Sequence, residues 1–196
     1  MRQTIIIIGV ILVLALLTVV PMYNSYNKMV VYDEQVKASW SQVENVYQRR
    51  LDLIPNLVNT VKGAANFEKE TLTQVMEARA KATQVTIDPS KMTKENFEQY
   101  QEAQGKVSSS LSRLLVSVEN YPQLRATESF KELQSQLEGT ENRIAVERRK
   151  FSELVMEYNA YIRKFPKNIY ASWFNFKEKP YFTAEKEAAK APTVKF

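Results

Sequence analysis

The side chains best suited to chemistry in this 196-residue chain are four carboxylates, Glu44, Asp52, Glu119 and Glu141, and three guanidinium groups, Arg49, Arg50 and Arg143. Carboxylates converging inside a helical bundle could hold metal ions, but bundle sites of that kind also draw on Glu-x-x-His pairs. The chain has no histidine and no cysteine. That removes the commonest general base at neutral pH, thiol chemistry, disulfides and the usual zinc ligand sets. There is no Gly-rich phosphate loop, nucleophile elbow or acid–base pair of recognisable spacing. The charges are therefore expected to be structural: Arg49, Arg50 or Arg143 paired with Asp52, Glu119 or Glu141 in a buried network that fixes helix register. No catalytic residue, metal site or cofactor is expected, and the chain reads as a non-enzyme.

The elements that position these groups read as helices. Only four glycines occur, and 44% of the residues are hydrophobic, enough for one membrane segment and one domain with a core. Net charge is +5, but acids and bases alternate along helix faces, as in Glu147-Arg148-Arg149-Lys150, so no basic stripe points to nucleic acid. Residues 5–20 are apolar except for Gly9 and Thr18. At 1.5 Å per residue this run covers roughly 24 Å, a slightly short membrane span. No small-x-small cleavage site follows it, so an uncleaved single-pass anchor over residues 1–24 is expected, with Tyr23 and Tyr26 at the water interface. Arg2 is the nearest positive charge, so the positive-inside rule leans towards a cytoplasmic amino terminus and an exported domain.

Beyond the anchor, apolar residues recur in steps of three and four. Met29, Tyr32, Val36, Trp40, Val43 and Tyr47 form one helical face. Pro21 is tolerable as a kink, so this helix can continue directly from the span. Pro55 lacks an N–H and disfavours helix at Ile54, so Pro55 and Asn56 are expected to form a joint at which a new helix starts, with Asp52 near its cap and Arg49 and Arg50 ending the previous one. The second helix places Leu57, Val61, Ala65, Leu72, Val75 and Ala82 inward and fades at Asp88-Pro89-Ser90. Thr93-Lys94-Glu95-Asn96 offers a cap for a third, which carries Phe97, Tyr100, Gln104, Val107, Leu111, Leu114, Val118 and Tyr121. The fourth starts near Ser129 and aligns Phe130, Leu133, Leu137, Ile144, Phe151, Val155, Tyr158, Ile162 and Phe165. Gly139 interrupts it at about 1 kcal/mol relative to Ala. The fold expected is all-α: a single N-terminal transmembrane helix, then an elongated antiparallel bundle of three to four long helices over residues 25–166.

Residues 167–196 differ, with Tyr170, Trp173, Phe174, Phe176, Tyr181 and Phe182 spaced by Lys, Asn and Pro180. Two readings stand. Either a short helix over 169–176 and a strap beyond it bury these rings on the bundle, or the rings form an interaction surface for a neighbouring subunit or lipid headgroups.

Several motifs together resemble the LemA family. They include Arg49-Arg50-Leu51-Asp52-Leu53-Ile54-Pro55-Asn56-Leu57-Val58, Val61-Lys62-Gly63, Glu77-Ala78-Arg79-Ala80, Glu119-Asn120-Tyr121-Pro122, Leu137-Glu138-Gly139-Thr140-Glu141-Asn142-Arg143-Ile144, Tyr158-Asn159, Phe165-Pro166 and Ala191-Pro192. The resemblance covers nearly the whole chain. It departs at Phe67, where a histidine commonly follows the Lys-Gly motif, and at Phe151-Ser152, where Tyr-Asn is usual. It implies a membrane helix and an all-helical domain but no established activity, and a topology with the amino terminus outside, opposite to the charge argument. Two functions fit: a scaffold that self-associates as a homo-oligomer in the membrane plane, or an adaptor presenting a helical surface to another envelope protein such as a protease or secretion component. The bilayer, through residues 5–20, is the expected partner in both.

Overall fold

A computed structural model of the protein describes residues 2–63 and 67–182, apart from the side chains at positions 11 and 13–15. The described residues form helices and connecting turns, with no strand. Helix α1, Arg2–Lys62, has 61 residues and is therefore about 90 Å long. It is followed by α2, Lys69–Gln84, a single 3-10 turn at Pro89–Lys91, α3, Lys94–Val118, and the short α4, Pro122–Ala126. Helix α5, Glu128–Arg163, then returns along α1, and α6, Lys167–Trp173, closes the order.

Side-chain pairs give the directions. Going up α1, Tyr32, Trp40 and Arg50 meet Tyr161, Phe151 and Glu141 of α5 in descending order, so the two helices are antiparallel. Trp40 also meets Phe97, and Arg50 meets Gln104 and Ser108, so α3 runs parallel to α1. Arg79 reaches back to Leu51, and Arg113 reaches Gln74, so α2 is antiparallel to both α1 and α3.

The stripes expected from spacing form the core. Val36, Trp40, Val43, Leu57, Val61, Val75, Phe97, Val107, Leu114, Phe151, Val155 and Tyr158 are buried. Ala65 lies outside the described residues. The start of α3 carries a capping box: Thr93 Oγ1 accepts from the Asn96 N–H at 3.3 Å, and Asn96 Oδ1 accepts from the Thr93 N–H at 2.9 Å. Pro122 occupies the first turn of α4, where a missing N–H costs nothing.

Two expectations need correction. Pro55 and Asn56 are not a joint, because α1 runs through them and through Pro21 without a break. A proline inside a helix removes the donor that would serve the carbonyl four residues earlier. For Pro55 that carbonyl belongs to Leu51, and Arg79 Nε of α2 donates to it at 2.8 Å. A tertiary bond thus replaces the lost helical one, and α1 continues to its end beside Gly63. The boundary expected between residues 24 and 25 falls inside this helix, in keeping with the direct continuation through Pro21 that the sequence allows.

Phe165 is the second correction. It continues the spacing of the α5 stripe yet stands 81% exposed. Helix α5 stops at Arg163, and Lys164 is extended, so the helical phase that would aim Phe165 inward is lost before it is reached.

The membrane span is a different case. Among the described residues no helix is long and apolar enough to cross a membrane. The run over residues 5–20 includes Ile11, Val13, Leu14 and Ala15, whose side chains lie outside the described residues. The described members of the run, such as Ile5, Leu12 and Leu17, are exposed.

Candidate functional site

Halfway up the bundle a polar layer interrupts the apolar interior. One buried cluster ends at Tyr47, Tyr100 and Ile144, and the next begins at Leu51, Val107 and Leu137. Between them lie buried Arg50, Gln104 and Thr140. Arg50 is only 1% exposed. Its Nη1 donates to Ser108 Oγ at 2.7 Å and to Glu141 Oε1 at 2.9 Å. Its Nη2 donates to the Gln104 carbonyl at 3.1 Å and to Gln104 Oε1 at 2.7 Å. The guanidinium carbon sits 5.0 Å from the centre of the Tyr47 ring, while Nε has no hydrogen-bond partner. Arg50 therefore ties α1 to α3 and α5 at one level.

Of the six residues expected in an ion-pair network, only Arg50 and Glu141 meet, and Glu141 is 45% exposed on its side chain. Arg49 and Arg143 point to solvent, as does Glu119. Asp52 is exposed and accepts from Gln48 Nε2 at 2.8 Å, so it caps no helix. Helical phase separates them: positions 47, 50, 51 and 54 share the buried stripe of α1, and 49 and 52 do not. Sequence reasoning missed Ser108 and Thr140 as members of the layer, and it placed Gln104 on the inner stripe without a role. A polar residue at a stripe position was the available signal. Arg79 was also missed, although Pro55 announces a carbonyl in need of a donor.

Glu44, one turn above Trp40, is half-buried. Burial pushes its carboxyl up from the usual range. Burial also pushes the Tyr100 phenol well above its ordinary value. Among the described residues no group of three or more carboxylates is placed to hold a metal ion.

At the lower end, the segment after α5 divides the aromatic residues between two tasks. Asn175 takes a positive φ of 59° after α6, the Phe176 N–H reaches the Ala171 carbonyl at 2.9 Å, and the Asn175 N–H reaches that of Ser172 at 3.3 Å. This paired closure turns the chain back along the bundle. Asn159 then both donates to the Lys179 carbonyl and accepts from the Lys179 N–H, each at 2.9 Å, and the Tyr158 hydroxyl donates to the Lys177 carbonyl at 2.9 Å. Lys179 Nζ lies 3.0 Å from Asp33 and donates to the Pro89 carbonyl at 3.2 Å. Burial would raise the Asp33 carboxyl, but hydrogen bonds from Lys37 and Lys179 outweigh it and hold the group below its ordinary value. At the end of this strap Phe182 packs against Trp40, Phe97 and Phe151, with ring centres 4.8 to 6.2 Å apart. Tyr170, Phe176 and Phe182 are thus partly buried in the core, whereas Trp173, Phe174 and Tyr181 stay exposed. The stretch from 183 to 196, with Ala191-Pro192 and Phe196, lies outside the described residues.

At the opposite end a cleft of about 690 Å³ opens beside Thr60, Gly63, Tyr121, Leu124, Thr127 and Ser129. Among the described residues its lining holds no charged side chain.

A family model described as the LemA family matches residues 39–196, which takes in α2 to α6 and the last part of α1 from Ser39 onward. The chain belongs to the LemA family. Among its relatives is the magnetosome protein MamQ of Magnetospirillum gryphiswaldense, 27% identical over 211 aligned residues that cover 98% of this chain and 76% of that one. MamQ 2 of Paramagnetospirillum magneticum is 27% identical over 188 residues, 86% of this chain and 68% of the relative. Protein LemA of Metamycoplasma hominis is 21% identical over 149 residues, 76% of this chain and 61% of the relative. Four of the LemA motifs quoted from the sequence fall on tertiary joints: those with Arg50 and Glu141 in the polar layer, Arg79 against the Pro55 turn, and Tyr158-Asn159 holding the strap.

Proposed function

We propose that this LemA-family chain is a membrane-anchored, non-catalytic helical scaffold that self-associates in the plane of a bacterial inner membrane, with the bundle on the extracytoplasmic side. The observation that carries the reading is α1, one continuous helix from the apolar run at residues 5–20 into the bundle core. An apolar run fused without a linker to a rigid rod fixes the rod relative to the segment that enters lipid. Many copies held in one plane have a raised effective concentration for lateral contact. Relatives named as magnetosome proteins fit a membrane-associated protein. The polar residues gathered by the fold are engaged in holding helices, which supports a structural role over a catalytic one.

The test is electron microscopy and crosslinking of the full-length protein in mild detergent and in native membranes. Large regular particles and a crosslinked ladder are expected. A protein that is monomeric in both settings would refute self-association. A stoichiometric second protein recovered by affinity capture would instead support the adaptor reading, for which the uncharged cleft beside Tyr121 is the natural docking place. A C-terminal phosphatase fusion that stays inactive would overturn the orientation.

A further inference from the structure

The last turn of α5, α6 and the start of the strap form a surface that the bundle leaves uncovered. Phe165 is 81% exposed and Trp173 is 69% exposed. Phe174 is exposed too, and its ring meets that of Tyr26 on α1 with centres 4.8 Å apart. Tyr26 lies six residues past Val20, which is about 9 Å along the helix axis from the end of the apolar run. The polar interface of a bilayer extends roughly 5–8 Å beyond the hydrocarbon on each side. The contact with Tyr26 therefore sets the end of α6 at the outer edge of the headgroup layer when residues 5–20 alone occupy the hydrocarbon, and within it when Met22 and Tyr23 extend the buried stretch.

Charge agrees with depth. Residues 158–177 contain four basic side chains and no acidic one, and residues 21–32 add Lys28, again with no acid. Glu178 pairs with Arg163 at 3.6 Å, and Lys28 and Lys167 lie over the Tyr161 ring at 5.5 and 3.9 Å. Lys164 and Lys177 remain exposed. Aromatic rings with an apolar body and a polar edge, bordered by lysines, match the boundary between acyl chains and anionic headgroups.

We propose that α6 and its flanking turns are a foot that rests in the headgroup layer of an anionic bilayer, with Phe165 and Trp173 inserted and the neighbouring lysines on lipid phosphate. The foot gives the bundle a second point of contact besides α1. It fixes the tilt of the rod, which a single helix in lipid leaves free. This inference rests on the reading of residues 5–20 as the anchor.

The chain has two tryptophans, and Trp40 is buried in the core, so Trp173 reports the foot by itself. Full-length protein would be reconstituted into vesicles of phosphatidylglycerol and phosphatidylcholine carrying lipid brominated close to the carbonyl end. Flotation and tryptophan emission would be compared with those of W173F. Expected are co-flotation of both proteins, loss of the Trp173 emission to the quencher, retention of the Trp40 emission, and weaker quenching in a K164E/K167E variant. Protein that floats while its Trp173 emission stays red-shifted and unquenched overturns the foot and leaves the anchor standing. Protein that does not float overturns both. The chain has no native cysteine, so a disulfide formed efficiently between copies of W173C in the membrane would assign the surface to a second copy and also overturn the proposal.

Discussion

Arg79→Ala tests the claim that a tertiary hydrogen bond keeps α1 whole across Pro55. In the native protein the Leu51 carbonyl has lost its helical donor to Pro55 and receives Arg79 Nε at 2.8 Å. Leu51 is buried, and a buried carbonyl left without a donor costs about 1–3 kcal/mol. Arg79 itself is half-exposed, so water can partly replace it, and a loss of about 1.5 kcal/mol is expected. In a Pro55→Ala background the backbone N–H restored at position 55 can serve Leu51 directly. Removing Arg79 should then cost no more than about 0.5 kcal/mol, as at an ordinary surface site. The double-mutant cycle should thus show a coupling of about 1 kcal/mol. The assay is equilibrium denaturant unfolding of the full-length variants in mild detergent, followed by helical circular dichroism, with midpoints compared at constant slope. Additivity to within about 0.5 kcal/mol, or a neutral Arg79→Ala, would refute the account, because either result means that Leu51 does not depend on Arg79.

The polar layer predicts an asymmetry. Arg50→Ala should destabilise by about 3 kcal/mol or more, since it opens a cavity and strips Gln104 and Ser108 of their donor, while Glu141→Gln, at a largely hydrated partner, should cost about 1 kcal/mol or less; equal effects in thermal unfolding would contradict it. Gly139→Ala should stabilise by about 1 kcal/mol, because a Cβ there meets nothing within 4 Å and the helix gains propensity; an unchanged unfolding midpoint would speak against that open space. Glu44→Gln should stabilise the fold at pH 7, because the folded-state pKa is raised above 4.5, so the ionised group opposes folding at neutral pH and that penalty disappears as pH falls through the folded value. Asp33 has the opposite sign: its folded-state pKa lies below 3.8, so the stability from its lysine partners is present above 3.8 and is lost as pH falls through the folded value. Protection of the amides over residues 174–182, taken relative to the intrinsic exchange rate at each pH, should therefore fall at acid pH in the wild type and at neutral pH in Asn159→Ala; a strap that stays protected in Asn159→Ala would show that the side-chain clamp is not what holds it.

The long apolar stripes were legible because three- and four-residue spacing maps directly onto a helix face, and the buried residues from Met29 to Ile162 follow it. The Thr93 cap was legible for the same local reason. Pro55 was misread because the local rule sees only a lost N–H, whereas the compensating donor is Arg79, 28 residues from Leu51 and on another helix. The arginine pair shows a different limit. Its type signalled a buried ion pair, but which of Arg49 and Arg50 turns inward depends on the phase set by Tyr47, Leu51 and Ile54, and the partners on α3 depend on bundle register. The tail divides: Tyr170, Phe176 and Phe182 join the core, and Trp173 and Phe174 stay exposed. No spacing rule separates those two sets, because the division is made by the turn at Asn175 and the Asn159 clamp.

The same contacts that were hidden in the sequence determine how force and position can pass along the molecule. A joint at Pro55 would have let the upper half of the bundle swing independently of the segment below it. With Arg79 bridging that turn and Arg50 binding α1, α3 and α5 at one level, the two apolar clusters instead belong to one rod. Pro21 is then the remaining proline between the apolar run and the bundle, and it precedes the Tyr26 contact by only five residues. On the proposed membrane reading, tilt would therefore be set at a single place, the junction where α1, α6 and the strap meet. A rod whose direction is fixed at its base presents the same lateral faces to every neighbour in the plane, and that uniformity is what a self-associating scaffold needs and a tethered flexible domain would lack.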